Sequence, residues 1–210
     1  MNHRRIFSLG AIALSGSLAL GALALGPAGK VEAAAPATES ASLATYEVDL
    51  AHAYVLFRIK HLGVGWNYGR FNSLAATLAY DAEKPGNSSV EFSADTQSVD
   101  TGNGKRDTHL RSPDFFNAKQ FPKLSFKSTR IKRVDAETLE VTGEFSLHGK
   151  SKEITFPVEI TGQGKDPWDN LRAGFEARFT LLRSDFDITF MDKLLSDEVK
   201  VTVAFEAIAK

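Results

Sequence analysis

The chain has no cysteine among its 210 residues, and that absence excludes several devices at once. No disulfide can hold the fold, no lipobox cysteine can carry a lipid anchor, and no thiolate can join a histidine in a metal site. Charge of one sign is lacking too: 25 basic and 26 acidic side chains leave a formal net charge of −1. Such a balance argues against nucleic acid or an anionic membrane surface as a partner, because both require a clustered basic face that displaces counterions. Also missing are a nucleophile elbow, a phosphate-cradling glycine loop, and any carboxylate or His/Asp set at catalytic spacing. No catalytic residue is therefore assigned, and the chain is not expected to be an enzyme. Stability has to come from core packing.

The first residues stand apart from the rest. Arg4 and Arg5 make a positive start, Ile6 to Leu25 is apolar, and Val31-Glu32-Ala33 or Ala33-Ala34-Ala35 offers the small-x-small site of a signal peptidase. Residues 1–33 are expected to be a cleaved export signal, placing the mature protein in the periplasm or outside the cell. The competing reading, an uncleaved anchor, is disfavoured by the glycines and serines inside the apolar stretch. Ser8 departs from a twin-arginine signal, so the export route stays open. Without residues 1–33 the counts fall to 22 basic and 25 acidic, a net charge of −3. Residues 34–45 are small and polar without periodicity and read as a flexible leader. No stable membrane span is expected after cleavage.

From Tyr46 to Lys210 the chain reads as strand after strand. Val55, Phe57, Ile59 and His61 alternate with polar or outward positions, and so do the runs 89–95, 138–147, 153–160, 171–181 and 199–207. Less regular runs at 70–80 and 122–131 bring the count to about eight strands, separated by turn signals such as Pro85-Gly86-Asn87 and Gly149-Lys150. An all-β, antiparallel fold follows, either a barrel or a sandwich, and strand length favours the barrel. Nine phenylalanines, at 57, 71, 92, 126, 145, 156, 175, 179 and 205, share the apolar side. Small residues between them, Ala75, Ala94, Gly143, Ala173 and Ala177, leave room for a ligand or interdigitate with the rings; composition does not separate the two.

One stretch breaks the rhythm. Residues 101–121 show no alternation and read as a short helix within about 103–117, stopped at Ser112-Pro113. Its string Arg106-Asp107-Thr108-His109-Leu110-Arg111-Ser112-Pro113-Asp114-Phe115-Phe116 is the most distinctive in the chain. With Phe57-Arg58-Ile59-Lys60-His61-Leu62-Gly63, Gly69-Arg70-Phe71, Thr142-Gly143-Glu144-Phe145-Ser146-Leu147-His148-Gly149 and Phe156-Pro157-Val158, it resembles the YceI-like family of exported, lipocalin-like polyisoprenoid-binding proteins. The resemblance spans about residues 46–208. Arg183-Ser184-Asp185-Phe186 fits as well, but Asp187 stands where the family usually has glycine, which predicts a left-handed, slightly strained turn.

The resemblance implies an extended eight-stranded barrel around a long apolar channel that holds a polyprenyl chain, a quinone tail or a similar amphiphile. The positions expected to line it are Phe57, Ile59, Phe92, Phe145, Phe156, Val158, Phe175, Phe179, Val203 and Phe205, while Phe71 and Phe126, on irregular runs, are expected to hold the walls together. His61, on the apolar side at a strand end, and Arg106 with His109, in a basic cluster with Lys105 and Arg111, are the candidates for a ligand headgroup. The competing account pairs that cluster with Asp107 and Asp114 or leaves it solvated. His52, His61, His109 and His148 show no metal-ligand spacing, so no metal and no cofactor is expected. Solubilising an apolar ligand is the expected function. The alternative is a non-catalytic envelope or stress-response module whose outer face or 101–121 loop docks a protein partner. Oligomeric state is left open, a homodimer included.

Overall fold

Period-two alternation folds here into strands with one dry and one wet face, and the dry faces curl around a common axis. The computed structural model describes residues 44–210; the expected export signal and all but the last residues of the leader lie outside them. The elements are β1 (Ala44–His61), β2 (Gly65–Phe71), β3 (Leu74–Tyr80), β4 (Ser89–Asp95), β5 (Val99–Asp100), α1 (Gly104–Arg111), β6 (Lys123–Arg133), β7 (Thr138–Leu147), β8 (Lys150–Lys165), β9 (Leu171–Leu182) and β10 (Leu195–Ala209). Pairing is antiparallel throughout, in the order β10-β9-β8-β7-β6-β4-β3-β1-β2-β5. β1 also pairs with β10 from Tyr46↔Ala209 to His61↔Leu195. That pairing closes β1, β3, β4, β6, β7, β8, β9 and β10 into an eight-stranded barrel, as expected, and leaves β2 and β5 beside the second half of β1.

The run 70–80 is not one strand. β1 pairs through Ala44–Tyr46 with β3 and through Val55–His61 with β2, and the chain between those partners turns at Asn72-Ser73. Both turn amides donate to Ser98 Oγ, at 3.1 and 3.0 Å, so neither N–H is left unpaired at the break. Opposite this break β1 bulges: Asp49 faces Glu206 of β10 but Ala53 faces Phe205, so residues 50–52 have no partner across the ladder. The strand begins at Ala44, two residues before the alternation that starts at Tyr46.

Two ends of the barrel differ. At one, the β3–β4 loop is folded around Asp81, whose carboxylate accepts from the amides of Glu83 and Lys84 and from Asn87 Nδ2 at 2.8–3.0 Å; these donors hold it below its ordinary pKa. At the other, α1 and its following turns, the 3₁₀ turn Arg183–Phe186, and the loop to Leu195 gather over the strand ends. α1 starts where Asn103 Oδ1 caps the Arg106 amide at 3.1 Å and stops at Ser112, extended ahead of Pro113. The β7–β8 hairpin at the same end is a two-residue turn, His148 at φ 52 and Gly149 at φ 76, the double left-handed geometry that matches strand twist. Asp187 adopts φ 57, ψ 23 directly after the 3₁₀ turn, the left-handed conformation expected of it.

Candidate functional site

The inward faces of the strands line a long, narrow cavity of about 200 Å³. Along β10 its lining runs from Leu195 to Phe205, roughly 30 Å of extended chain at about 3.3 Å per residue, so the space is only about one carbon chain wide. All ten positions expected to line it do so: Phe57 and Ile59 of β1, Phe92 of β4, Phe145 of β7, Phe156 and Val158 of β8, Phe175 and Phe179 of β9, and Val203 and Phe205 of β10. Phe71 and Phe126 line it as well, a correction to the expectation that they hold the walls together. Twelve of the chain's 15 phenylalanines face this space.

The rings form local stacks and edges, not a filled plug. Phe156 lies parallel to Phe179 with centroids 4.5 Å apart and meets Phe126 at 5.2 Å. Phe175 contacts Phe205 at 5.3 Å and Tyr80 at 5.2 Å, and Tyr80 meets Tyr46 edge-on at 5.9 Å. Each such pair adds about 0.5–1.5 kcal/mol beyond area burial and fixes the ring against the wall. The small residues divide in two. Ala177 faces the cavity and leaves it open, whereas a Cβ on Gly143 would lie 2.6 Å from Phe126 Cζ and 2.3 Å from the Lys127 carbonyl oxygen. Gly143 thus makes room for a protein ring and not for a ligand. Ala94 and Ala173 are buried without reaching the cavity, and Ala75 is exposed on the outer face, contrary to its expected inward position.

None of the three expected headgroup residues reaches the cavity. His61 stands half-buried at the end of β1, in unbroken register with β2 but opposite a bulge in β10 that brings Leu195, not His61, into the lining. Arg106 donates through Nε to Thr101 Oγ1 at 2.8 Å and through Nη2 to the Thr101 carbonyl at 2.9 Å. His109 Nε2 sits 2.8 Å from Asp114 Oδ2, and Arg111 donates to the Gln97 and Val99 carbonyls at 2.8 Å. Arg106, His109 and Arg111 are consumed in bracing the 101–122 segment. That segment still serves the cavity, because Leu110, Phe115 and Phe116 line it, with Phe116 meeting Phe71 at 5.5 Å and Phe57 at 6.5 Å.

The polar groups of the lining went unread in the sequence. Arg183 is its charged residue, 6% exposed, and lies at the α1 end; Tyr80 and Ser88 lie at the opposite end. Arg183 donates to the carbonyls of Ser196 at 3.1 Å, Ile188 at 2.8 Å and Phe190 at 2.7 Å, while Nη2 has no hydrogen-bond partner among the described residues. Burial pushes its pKa down from the ordinary arginine value, and the charges of Asp197 and Asp192 oppose that shift. The only sequence signal was its place in Arg183-Ser184-Asp185-Phe186. Outside the cavity, Asp49, His52 and Glu206 bring three donor atoms within 4.8 Å of one another. Arg172 Nη1 already donates to Asp49 Oδ2 at 2.9 Å and Glu206 Oε2 at 3.1 Å, so a fixed cation serves these carboxylates and no metal is assigned.

Residues 46–207 match the YceI-like domain family. The chain belongs to the YceI-like family. The protein YceI of Salmonella arizonae is 40% identical over 173 residues, covering 81% of this chain and 90% of its own. Among solved structures, the YceI protein of Campylobacter jejuni is 30% identical with a TM-score of 0.67, over 72% of this chain and 90% of that one. A polyisoprenoid binding domain from Saccharophagus degradans shares the fold at a TM-score of 0.59 and 15% identity, over 80% of this chain and 99% of that one. Within this YceI-like barrel, Arg183-Ser184-Asp185-Phe186 forms the 3₁₀ turn, and Phe186, 1% exposed, packs edge-on against Phe145 at 5.4 Å.

Proposed function

We propose that this YceI-like protein holds the apolar chain of an isoprenoid or similar amphiphile in its barrel and carries or stores it in an aqueous compartment outside the cytoplasm. One observation carries the reading: a cavity about one chain wide that runs along the barrel and is lined almost wholly by aromatic and aliphatic side chains. Burial of each methylene contributes about 0.8 kcal/mol, so a five-carbon unit contributes about 4 kcal/mol. Association costs on the order of 4–15 kcal/mol, so one unit is not retained and a chain of several is. The polyisoprenoid binding domain that shares this fold supports the same class of ligand. The compartment rests on the basic and apolar start of the chain and its small-x-small site. The role is binding without turnover.

The lining discriminates by length and branching only, because an apolar wall distinguishes neighbouring homologues by about 1–3 kcal/mol per methylene. A family of related tails, not a single compound, is the expected cargo. The test is native mass spectrometry of protein purified without detergent, followed by solvent extraction of the bound material. A long-chain isoprenoid species at near-equal stoichiometry is expected. Protein recovered empty, and failing to take up a polyprenol when offered one, refutes the reading.

A further inference from the structure

The outer wall at the α1 end carries a feature that the net charge conceals. Phe57, Ile59, Val199 and Val201 face the cavity, so Arg58, Lys60 and Lys200 between them face outward. All three cations gather over one ring: Trp66 of β2 has Arg58 Cζ at 4.6 Å from its centroid, Lys60 Nζ at 4.9 Å and Lys200 Nζ at 5.5 Å. Arg58 and Lys200 stand directly opposite each other across the β1–β10 ladder, an arrangement that is destabilising for like charges. Among the described residues none of the three has a carboxylate within ion-pair distance, Glu198 two places along β10 included. Tyr68, 59% exposed, extends the patch and accepts a hydrogen bond from Arg58 at 3.3 Å. The expectation that no clustered basic face exists is thereby corrected, since β1, β2 and β10 assemble one from residues up to 142 positions apart.

Directly beyond this patch the barrel end is apolar and exposed. The β1–β2 turn presents Leu62 at 56% and Val64 at 84% exposure, and the Leu62 amide donates to the Leu194 carbonyl at 2.7 Å. Leu194, Phe190 and Leu182 continue the rim, each about two-fifths exposed, and Phe190 packs against Phe115 of the cavity lining at 5.5 Å. An apolar tip below a patch of tryptophan, tyrosine and cations without carboxylate partners among the described residues is the layering that a lipid interface selects: acyl region, aromatic belt, anionic headgroups. A second copy of the chain would set these unpaired cations against each other, and an acidic protein would leave the apolar tip without a counterpart.

We propose that this end docks peripherally on a bilayer surface bearing anionic headgroups, with Leu62, Val64, Phe190 and Leu194 reaching the acyl boundary and Arg58, Lys60 and Lys200 meeting the headgroups. The inference stands apart from the identity of the cavity's occupant. Flotation with vesicles of phosphatidylcholine alone, or mixed with phosphatidylglycerol, tests it on the full chain. Wild type, Val64→Asp and the Lys60→Gln/Lys200→Gln double variant carry the same N-terminal residues, so only differences between them are read. The excess binding of wild type over the double variant is expected only with phosphatidylglycerol present and is lost at high salt. The double variant should partition about 25-fold more weakly, about fivefold per lysine, and Val64→Asp should lose most of its binding. In a Trp168→Phe background Trp66 is the sole tryptophan, and its emission should shift to the blue on vesicle binding. Equal binding by all three proteins overturns the proposal. So does a solution mass that Val64→Asp halves while no protein floats, which assigns the rim to a second copy.

Discussion

Replacing Ala177 with leucine separates an open lumen from a filled one. Ala177 lies on β9 between Val158 of β8 and Val203 of β10, and all three face the cavity. Leucine adds three carbons that point along the same axis. If that space is open in the empty protein, their burial offers up to about 2.4 kcal/mol of stabilisation at about 0.8 kcal/mol each. If the wall were packed, forcing them in would cost about 1–3 kcal/mol. The ligand experiences the reverse effect: three of its carbons lose their place, about 2.4 kcal/mol, which weakens binding about 60-fold at 25 °C. Urea unfolding of ligand-stripped protein and titration with a polyprenol measure the two quantities. The expected pair is unchanged or raised stability with much weaker binding. A leucine variant that unfolds earlier and binds like wild type refutes the reasoning.

Gly149→Ala should destabilise the barrel by about 1–2 kcal/mol from its left-handed backbone alone, and by more because the new Cβ would lie 2.6 Å from the Phe121 ring; urea titration measures it. Asp49 and Asp166 are both held at about 2, Asp49 first by Arg172 and then by His52, Asp166 by the Asn170 side chain ahead of Arg172. Their folded pKa values lie below the unfolded value of about 3.9, so the stability they confer is complete above that pH and is lost as pH falls toward about 2. Melting temperatures across that window should fall less steeply in Arg172→Met, chiefly through release of Asp49. Arg106→Ala should raise amide hydrogen exchange across residues 101–122 while polyprenol affinity stays as in wild type, because its guanidinium holds Thr101 and does not reach the cavity. A concurrent fall in affinity would return Arg106 to the binding site.

The strands and the tail site were legible because one rule governs both. Inward positions of a closed sheet recur every second residue, so Phe145, Phe156, Phe175, Phe179 and Phe205 could be placed on the lining by counting alone. The same rule failed where pairing is irregular. His61 keeps its register with β2 but sits at a strand end opposite a β10 bulge and misses the cavity, and the Asn72-Ser73 break puts Phe71 inside and Ala75 outside, although they sit an even number of positions apart. Loop contributions had no period to betray them: Phe115, Phe116, Phe186 and Arg183 reach the cavity through turns fixed by side-chain hydrogen bonds. The basic cluster misled because sequence proximity of Arg106, His109 and Arg111 reports local bracing. The cations that assemble without carboxylate partners among the described residues, Arg58, Lys60 and Lys200, come from two strands far apart in the chain.

The pairing of β1 with β10 sets an order of events in the life of the chain. One edge of the first strand pairs early with β2 and β3, but its other edge finds its partner only in β10, so the ladder from Tyr46↔Ala209 to His61↔Leu195 cannot form until those residues are available. Contacts of such long sequence separation make folding slow, and until they form two strand edges stay unpaired. A nascent chain therefore passes through synthesis as an open sheet with its aromatic face uncovered. Loss of the final strand would leave an aggregation-prone ribbon, not a smaller barrel.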